Sequence, residues 1–289
     1  MNRIHILYMA ALLLATSCTK SASTSDEPNI GYGRLAIEFS ADSAITMTTT
    51  RSDSDKYYLD AALIPSQEEF VLTIEGSYID SESGETKQLS RSYENLEAYN
   101  TAESLDGETA PPTLPAGDYT FTLSDGGDTA EESAMNVCFS GSTSITLYAQ
   151  DFDATACVTV SMQNAAIALE TSEYFDGYFA GGATLKLSTE GGASISYDSD
   201  DYDEQTILFV APLTTLYLEG TATKQAPTED PESAPTVTFV KSEIGSTTAG
   251  TLSRVVVDAA EAGGGKISII LDDTITEIIY ETIELNPIQ

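Results

Sequence analysis

The chain has 289 residues, of which 46 are Asp or Glu and 12 are Lys or Arg, for a formal net charge of −34. Lys and Arg cluster nowhere, so a phosphate backbone is repelled and nucleic acid is excluded as a partner. The single histidine, His5, lies in an N-terminal apolar run, which leaves the rest of the chain without a Ser-His-Asp or Cys-His centre or a His-ligated metal.

The N-terminus opens with Arg3 and an apolar run, Ile4–Ala15, closed by Thr16 and Ser17 before Cys18. A charged n-region, a short apolar stretch and a small-residue cleavage zone read as a secretory signal. The run is shorter than the roughly 20 apolar residues of a spanning helix. The small residues before Cys18, with Leu14 upstream, are similar to a bacterial lipobox, on which residues 1–17 are removed and Cys18 becomes the acylated first residue. The alternative is an ordinary leader with a coincidental cysteine. Residues 18–30 are small, polar and acidic, a composition that cannot bury enough apolar surface to fold, and read as a tether. The expected location is the outer membrane, surface-exposed and lipid-anchored.

Beyond the tether the dominant period is two. Leu35, Ile37 and Phe39 alternate with polar or small residues; Phe70, Leu72 and Ile74 do the same, then Tyr119, Phe121 and Leu123, then Ile145 and Leu147. Alternation over such short runs predicts strands with one buried face. Turn signals at Ser83-Gly84, Asp125-Gly126-Gly127, Gly181-Gly182, Gly191-Gly192 and Gly263-Gly264-Gly265 separate them. The second half repeats the pattern in "ACVTVSM", "AAIALET", "ATLKLST", "TILFVAP", "TTLYLEG", "TVTFV", "SRVVVDA", "KISIILD" and "ITEIIYETIEL". The expected fold is all-β: two tandem antiparallel β-sandwich domains, Ig-like or transthyretin-like, over residues 31–152 and 153–289, with a hinge at Asp151–Ala154. Asn95–Pro112 and Lys224–Pro235 read as exposed loops.

Four groups of residues are candidates for chemistry or recognition. Cys138 and Cys157 lie in strand-like runs, and an exported chain permits a disulfide between them; the alternative is two separate small side chains packed in a core. Asp198–Glu204 holds five carboxylates, so Asp198, Asp200, Asp201 and Asp203 are a candidate calcium set, against the plainer reading of a solvated hairpin tip. The stretch lacks the glycine and distal glutamate of an EF-hand loop, and no cofactor is expected. Tyr174, Phe175, Tyr178 and Phe179 crowd around Asp176-Gly177, as a recognition loop or as rings capping a sandwich. Arg51 lies in a polar, Thr/Ser-rich stretch with no packing signal, open to proteases.

Leu114–Leu123, "LPAGDYTFTL", combines a turn-setting Pro115 and Gly117 with a strand that follows at once. Taken with the cysteine motif, "GRLAIEF", Thr50-Arg51 and "CVTVSMQNAAIAL" at Cys157–Leu169, the chain resembles a family of Bacteroidales lipoproteins known as domain of unknown function 4493, itself similar to fimbrillin-type pilus subunits. One departure is Met135–Cys138, where a proline-aromatic segment would be expected before Phe139–Gly141. The resemblance implies a lipid-anchored subunit cut after an arginine, here Arg51, which loses its first strand and accepts a strand of another subunit. The donor would be Ile275–Leu285. It implies a non-catalytic, adhesive surface protein whose partners are other subunits or extracellular glycans. Two alternatives stay open: a polysaccharide-binding lipoprotein that stacks sugars on some of the 15 tyrosines, and a hydrolase built on paired carboxylates.

Overall fold

The computed structural model describes residues 28–41, 44–48, 56–102, 110–200, 206–224, 234–259 and 267–271. The first half contains strands β1 (Tyr32–Ala41), β2 (Ala44–Thr48), β3 (Lys56–Tyr58), β4 (Val71–Ile79), β5 (Thr86–Tyr93), β6 (Thr113–Pro115), β7 (Gly117–Ser124) and β8 (Phe139–Leu147). The second half adds β9 (Ala154–Met162), β10 (Ala165–Thr171), β11 (Ala183–Thr189), β12 (Ser194–Asp198), β13 (Leu208–Val210), β14 (Thr215–Thr223), β15 (Thr236–Ser246), β16 (Thr251–Ala259) and β17 (Ile267–Leu271). The two helices are short, α1 (Leu96–Asn100) and α2 (Glu173–Tyr178). The chain is all-β.

The first sheet runs β5-β4-β7-β8-β9-β1-β6. β8 and β9 pair over two residues only, so the sheet parts there into two halves that enclose one core. The predicted inward residues fill it: Leu35, Ile37, Phe70, Leu72, Ile74, Tyr119, Phe121, Leu123 and Leu147 are buried. Full burial of each large apolar side chain contributes about 1.5–3 kcal/mol. The second core lies between a sheet ordered β13-β10-β16-β2-β3, with β17 on β16, and a four-stranded sheet, β12-β11-β14-β15.

The two cores share a wall. β10 is buried on both faces: Ala166 and Ala168 pack in the first core, whereas Ala165, Ile167 and Leu169 pack in the second. A strand covered on both sides reads as a continuous apolar run, which is how "AAIAL" reads. Nor do the sheets divide at one point of the chain. β9 continues the first sheet beyond the predicted hinge, and the chain crosses to the second core at Gln163-Asn164. β2 and β3, close to the N-terminus, belong to a sheet of the second core, so the Thr/Ser-rich stretch read as having no packing signal supplies two strands.

Most pairings are antiparallel, as expected, but three are parallel: β1 with β9, β10 with β16, and β16 with β2. Parallel partners need long connections, and these link segments far apart in sequence. Gly117 also acts differently from expectation. Its backbone is not left-handed; a Cβ there would collide with the Ser77 carbonyl oxygen of β4, so glycine is needed for close approach. The corner is fixed by the Tyr119 hydroxyl, which donates to the Pro115 carbonyl at 2.8 Å.

Asn164 holds the crossing point. It is fully buried, accepts from the Cys138 amide at 3.3 Å and donates to the Asn136 carbonyl at 2.5 Å, while its own carbonyl accepts from the Gly250 amide. Replacing it with alanine leaves two backbone groups without partners, at about 1–3 kcal/mol each. Asn164→Ala is expected to lower stability by about 2–6 kcal/mol, read as a lower urea midpoint at unchanged slope.

Candidate functional site

The best-defined candidate site is the seat of β1. Leu35 and Ile37 are buried and Phe39 is partly so, its ring 5.3 Å from that of Phe70. Along one edge, Leu35–Ala41 form a parallel ladder with Ala154–Val160 of β9. Along the other, β6 covers only Tyr32–Arg34. Past that point no strand of the described residues follows on this edge, and side chains of α1 take its place.

Asn100 receives the Ile37 amide on Oδ1 at 3.1 Å and donates from Nδ2 to the Ile37 carbonyl at 2.7 Å, so its amide mimics one residue of a paired strand. The Tyr99 hydroxyl, fully buried, donates to the Leu35 carbonyl at 2.7 Å. Tyr99 is held in turn by an edge contact with Tyr93, ring centroids 5.0 Å apart. These contacts address backbone atoms, so they hold β1 by its extended main chain rather than by particular side chains.

The start of Asn95–Pro112 is therefore a helix with two buried side chains, Leu96 and Tyr99, instead of an exposed loop. Its signals in the sequence were Asn95, whose Oδ1 caps the helix by accepting from the Ala98 amide, and the i, i+3 spacing of Leu96 and Tyr99. No signal marked Asn100.

The remaining sequence candidates fall elsewhere. Cys18, Arg51, Asp201 and Asp203, together with the donor segment 275–285, lie outside the described residues. Cys138 and Cys157 are free thiols, which corrects the disulfide reading. Cys138 lies beside Gln163, whose amide donates to its carbonyl, while Cys157 is six residues back along β9. At about 3.3 Å per residue that separation is near 20 Å, far beyond the roughly 7 Å that a disulfide tolerates. Burial, with Asp125 nearby, pushes the Cys138 thiol pKa up. The exposed Cys157 Sγ lies 3.8 Å from Ser40 Oγ of β1. Asp198 Oδ1 accepts from the Asp200 amide, closing a turn, and among the described residues no group of three His, Cys, Asp or Glu is arranged to hold a metal.

Helical spacing divides the aromatic group in two. Phe175 and Phe179, at i and i+4, are 0% and 3% exposed and pack in the second core, with ring centroids 4.8 Å apart. Tyr174 and Tyr178, also at i and i+4, face outward at 63% and 40% exposure, and Lys224 Nζ stands 4.6 Å from the Tyr178 ring centre. On the first sheet's outer face, an open depression of about 450 Å³ is lined by Glu75, Gln88, Asp118 and Thr146 among others. Both carboxylates are exposed there, and Asp118 is engaged by the Thr146 hydroxyl at 2.6 Å.

The chain is thus an all-β sandwich protein of two cores whose first strand is held by backbone contacts. The particular family follows from the sequence pattern: residues 31–287 match the domain of unknown function DUF4493, and the chain belongs to that family. No curated protein matches it significantly. Solved structures similar to it include a "putative cell adhesion protein" of Parabacteroides distasonis, with 10% identity, 84% of this chain and 99% of that one covered, and a TM-score of 0.39. A fimbrial assembly protein of the same organism has 9% identity, coverage of 85% and 99%, and a TM-score of 0.37. A structure from Bacteroides thetaiotaomicron, named "putative polysaccharide binding proteins", has 10% identity, coverage of 85% and 99%, and a TM-score of 0.35. Likeness at that level says nothing about what this chain binds. Among the described residues no helix is long and apolar enough to cross a membrane.

Two measurements test the seat. Asn100→Ala strips the Ile37 amide and carbonyl of their partner, at about 1–3 kcal/mol, and is expected to accelerate hydrogen exchange at Ile37 well before global unfolding. Burial raises the Tyr99 pKa above its ordinary 10.0 and pushes Tyr119 up to about 12. The folded state thus favours both neutral phenols. Their contribution is complete below about pH 10 and is lost as pH climbs toward the folded values. Stability is expected to fall above pH 10, and Tyr99→Phe to remove its share of that fall, in urea titrations across the alkaline range.

Proposed function

We propose that this chain is a non-catalytic, lipid-anchored protein of the cell envelope, a fimbrillin-like adhesive subunit whose first strand can be exchanged. The observation that carries this reading is the seat of β1. That strand is bound by backbone ladder and side-chain amide, and it stands on the N-terminal side of Arg51. A cut after Arg51 would release β1 and β2 together. The vacated edge of β9, with Asn100 and Tyr99 facing it, would then suit any extended segment with apolar residues at alternate positions. Residues 275–285 of a second copy are the candidate donor, being rich in β-branched side chains, with an alternation broken at Ile278-Ile279 that a β-bulge would have to absorb.

A polysaccharide-binding role is the second reading. It is favoured by the outward pair Tyr174 and Tyr178, two exposed aromatic side chains on one side of a helix. Hydrolysis has less support, since the carboxylates of the open depression are solvated and neither stands in an enclosing cleft.

Protein purified from the envelope distinguishes these readings. For a strand-exchanging subunit the mature chain is expected to begin at Ser52 and to run as SDS-resistant multimers, and Arg51→Ala is expected to leave a monomer that retains its N-terminal lipid. An intact acylated monomer from the wild-type cell would defeat strand exchange and leave the surface lipoprotein. Cys18→Ser is expected to move the protein from the membrane to the soluble fraction.

A further inference from the structure

The end of the first core at which the chain emerges carries a cluster of exposed apolar side chains. Residues 28–34 are fastened to the turn between β8 and β9. Asn29 donates to the Leu147 carbonyl at 2.9 Å and accepts from the Ala149 amide at 3.0 Å. The Gln150 amide donates to the Tyr32 carbonyl, and the Arg34 amide to the Asp151 carbonyl. Gly31, at φ +146°, brings the backbone against Ala149, where an added Cβ would stand 2.9 Å from that of Ala149. On this clasp Ile30, Tyr32, Tyr148 and Phe152 are 37%, 55%, 43% and 49% exposed. Other large exposed residues, such as Met135, Leu213 and Val240, lie on separate loops and strands.

We infer that this clasp is a membrane seat: Ile30, Tyr32, Tyr148 and Phe152 rest in the headgroup layer of the lipid surface to which Cys18 is anchored. The inference rests on the anchor proposed above. Ten Cα–Cα steps lead from Cys18 to Pro28, where the clasp begins. Fully extended they reach about 35 Å, and as a relaxed coil about 18 Å. The hydrogen-bonded clasp fixes where the chain leaves the body, so the end nearest the bilayer is this one. Tyrosine and phenylalanine are residues that settle at a membrane interface, with ring in the boundary layer and, for tyrosine, hydroxyl in water.

Charge selects the lipid. Asp151 and Asp153 lie in the same turn, and the β4–β5 turn at this end adds Asp80, Glu82 and Glu85. The fit is therefore to a zwitterionic headgroup, held by apolar contact and the tether rather than by attraction to anionic lipid. So seated, the body stands with α2 and its tyrosines at the far end, because β1 and β9 both run from the clasp toward the second core.

The chain contains no tryptophan, so one introduced residue reports its own surroundings. Full-length acylated protein carrying Phe152→Trp, and separately Tyr148→Trp, is reconstituted on phosphatidylcholine vesicles and recovered by flotation. Tryptophan emission is expected to shift to shorter wavelength and to be quenched by lipids brominated near the headgroup, whereas Tyr174→Trp stays water-like. Co-flotation with both clasp tryptophans unquenched would overturn the seat while leaving the anchor intact. Failure to float would remove the anchor and the seat together.

Discussion

The parallel ladder between Leu35–Ala41 and Ala154–Val160 is the constraint on which the first core depends. It joins segments about 120 residues apart, so closing it costs loop entropy that no local contact offsets. Between them in sequence, β5, β4, β7 and β8 form a continuous antiparallel part of the same sheet. β1 closes the first sheet against β9, which otherwise meets β8 over two residues only. Its partner β6 is three residues long, and only the α1 side chains lengthen the grip. The strand is thus held mainly by one neighbour distant in sequence, the feature on which the proposed exchange rests.

The second feature of the architecture is how little of its stability is electrostatic. Against a net charge of −34, the described residues form two Lys/Arg–carboxylate pairs, Lys87–Asp80 and Arg254–Glu170. The first holds the Asp80 carboxyl well below its usual range, yet it is exposed, where such pairs contribute little. Self-repulsion among the acids opposes the compact state, though at physiological salt it is screened beyond about 8 Å. Apolar burial must therefore carry the fold, and β10 makes that efficient by serving two cores at once. Alanine on its first-core face lets the wall approach closely; isoleucine and leucine fill the deeper second core.

Period-two alternation carried most of this in the sequence. It placed Leu35, Ile37, Leu72, Ile74, Phe121 and Leu123 inside because a strand repeats every two residues whatever its partners. It could not say that β1 pairs with β9 or that β2 lies in the other core's sheet, because partner choice depends on contacts far along the chain. Asn100 was invisible for a related reason: its partners are the backbone atoms of Ile37, and backbone has no sequence signature. The aromatic cluster was legible once treated as a helix, since spacing of four assigns Phe175 with Phe179 inward and Tyr174 with Tyr178 outward. The cysteines misled because strand-like surroundings do not reveal how far apart along the same edge two residues stand.

On the membrane seat proposed above, one segment, residues 28–41, would answer to both the lipid surface and the first core. Its beginning forms the clasp that carries Ile30 and Tyr32; its continuation is the strand held by β9 and Asn100. Arg51 lies beyond both. A single cut there would remove the tether, half of the apolar seat and the strand in one step, so that release from the membrane and opening of the groove could not occur separately. Until the cut, β1 occupies the groove intramolecularly, at an effective concentration that no second copy in solution can match. On the function proposed above, the intact chain would thereby be kept both attached and unable to accept a partner strand, and the timing of assembly would pass to the protease.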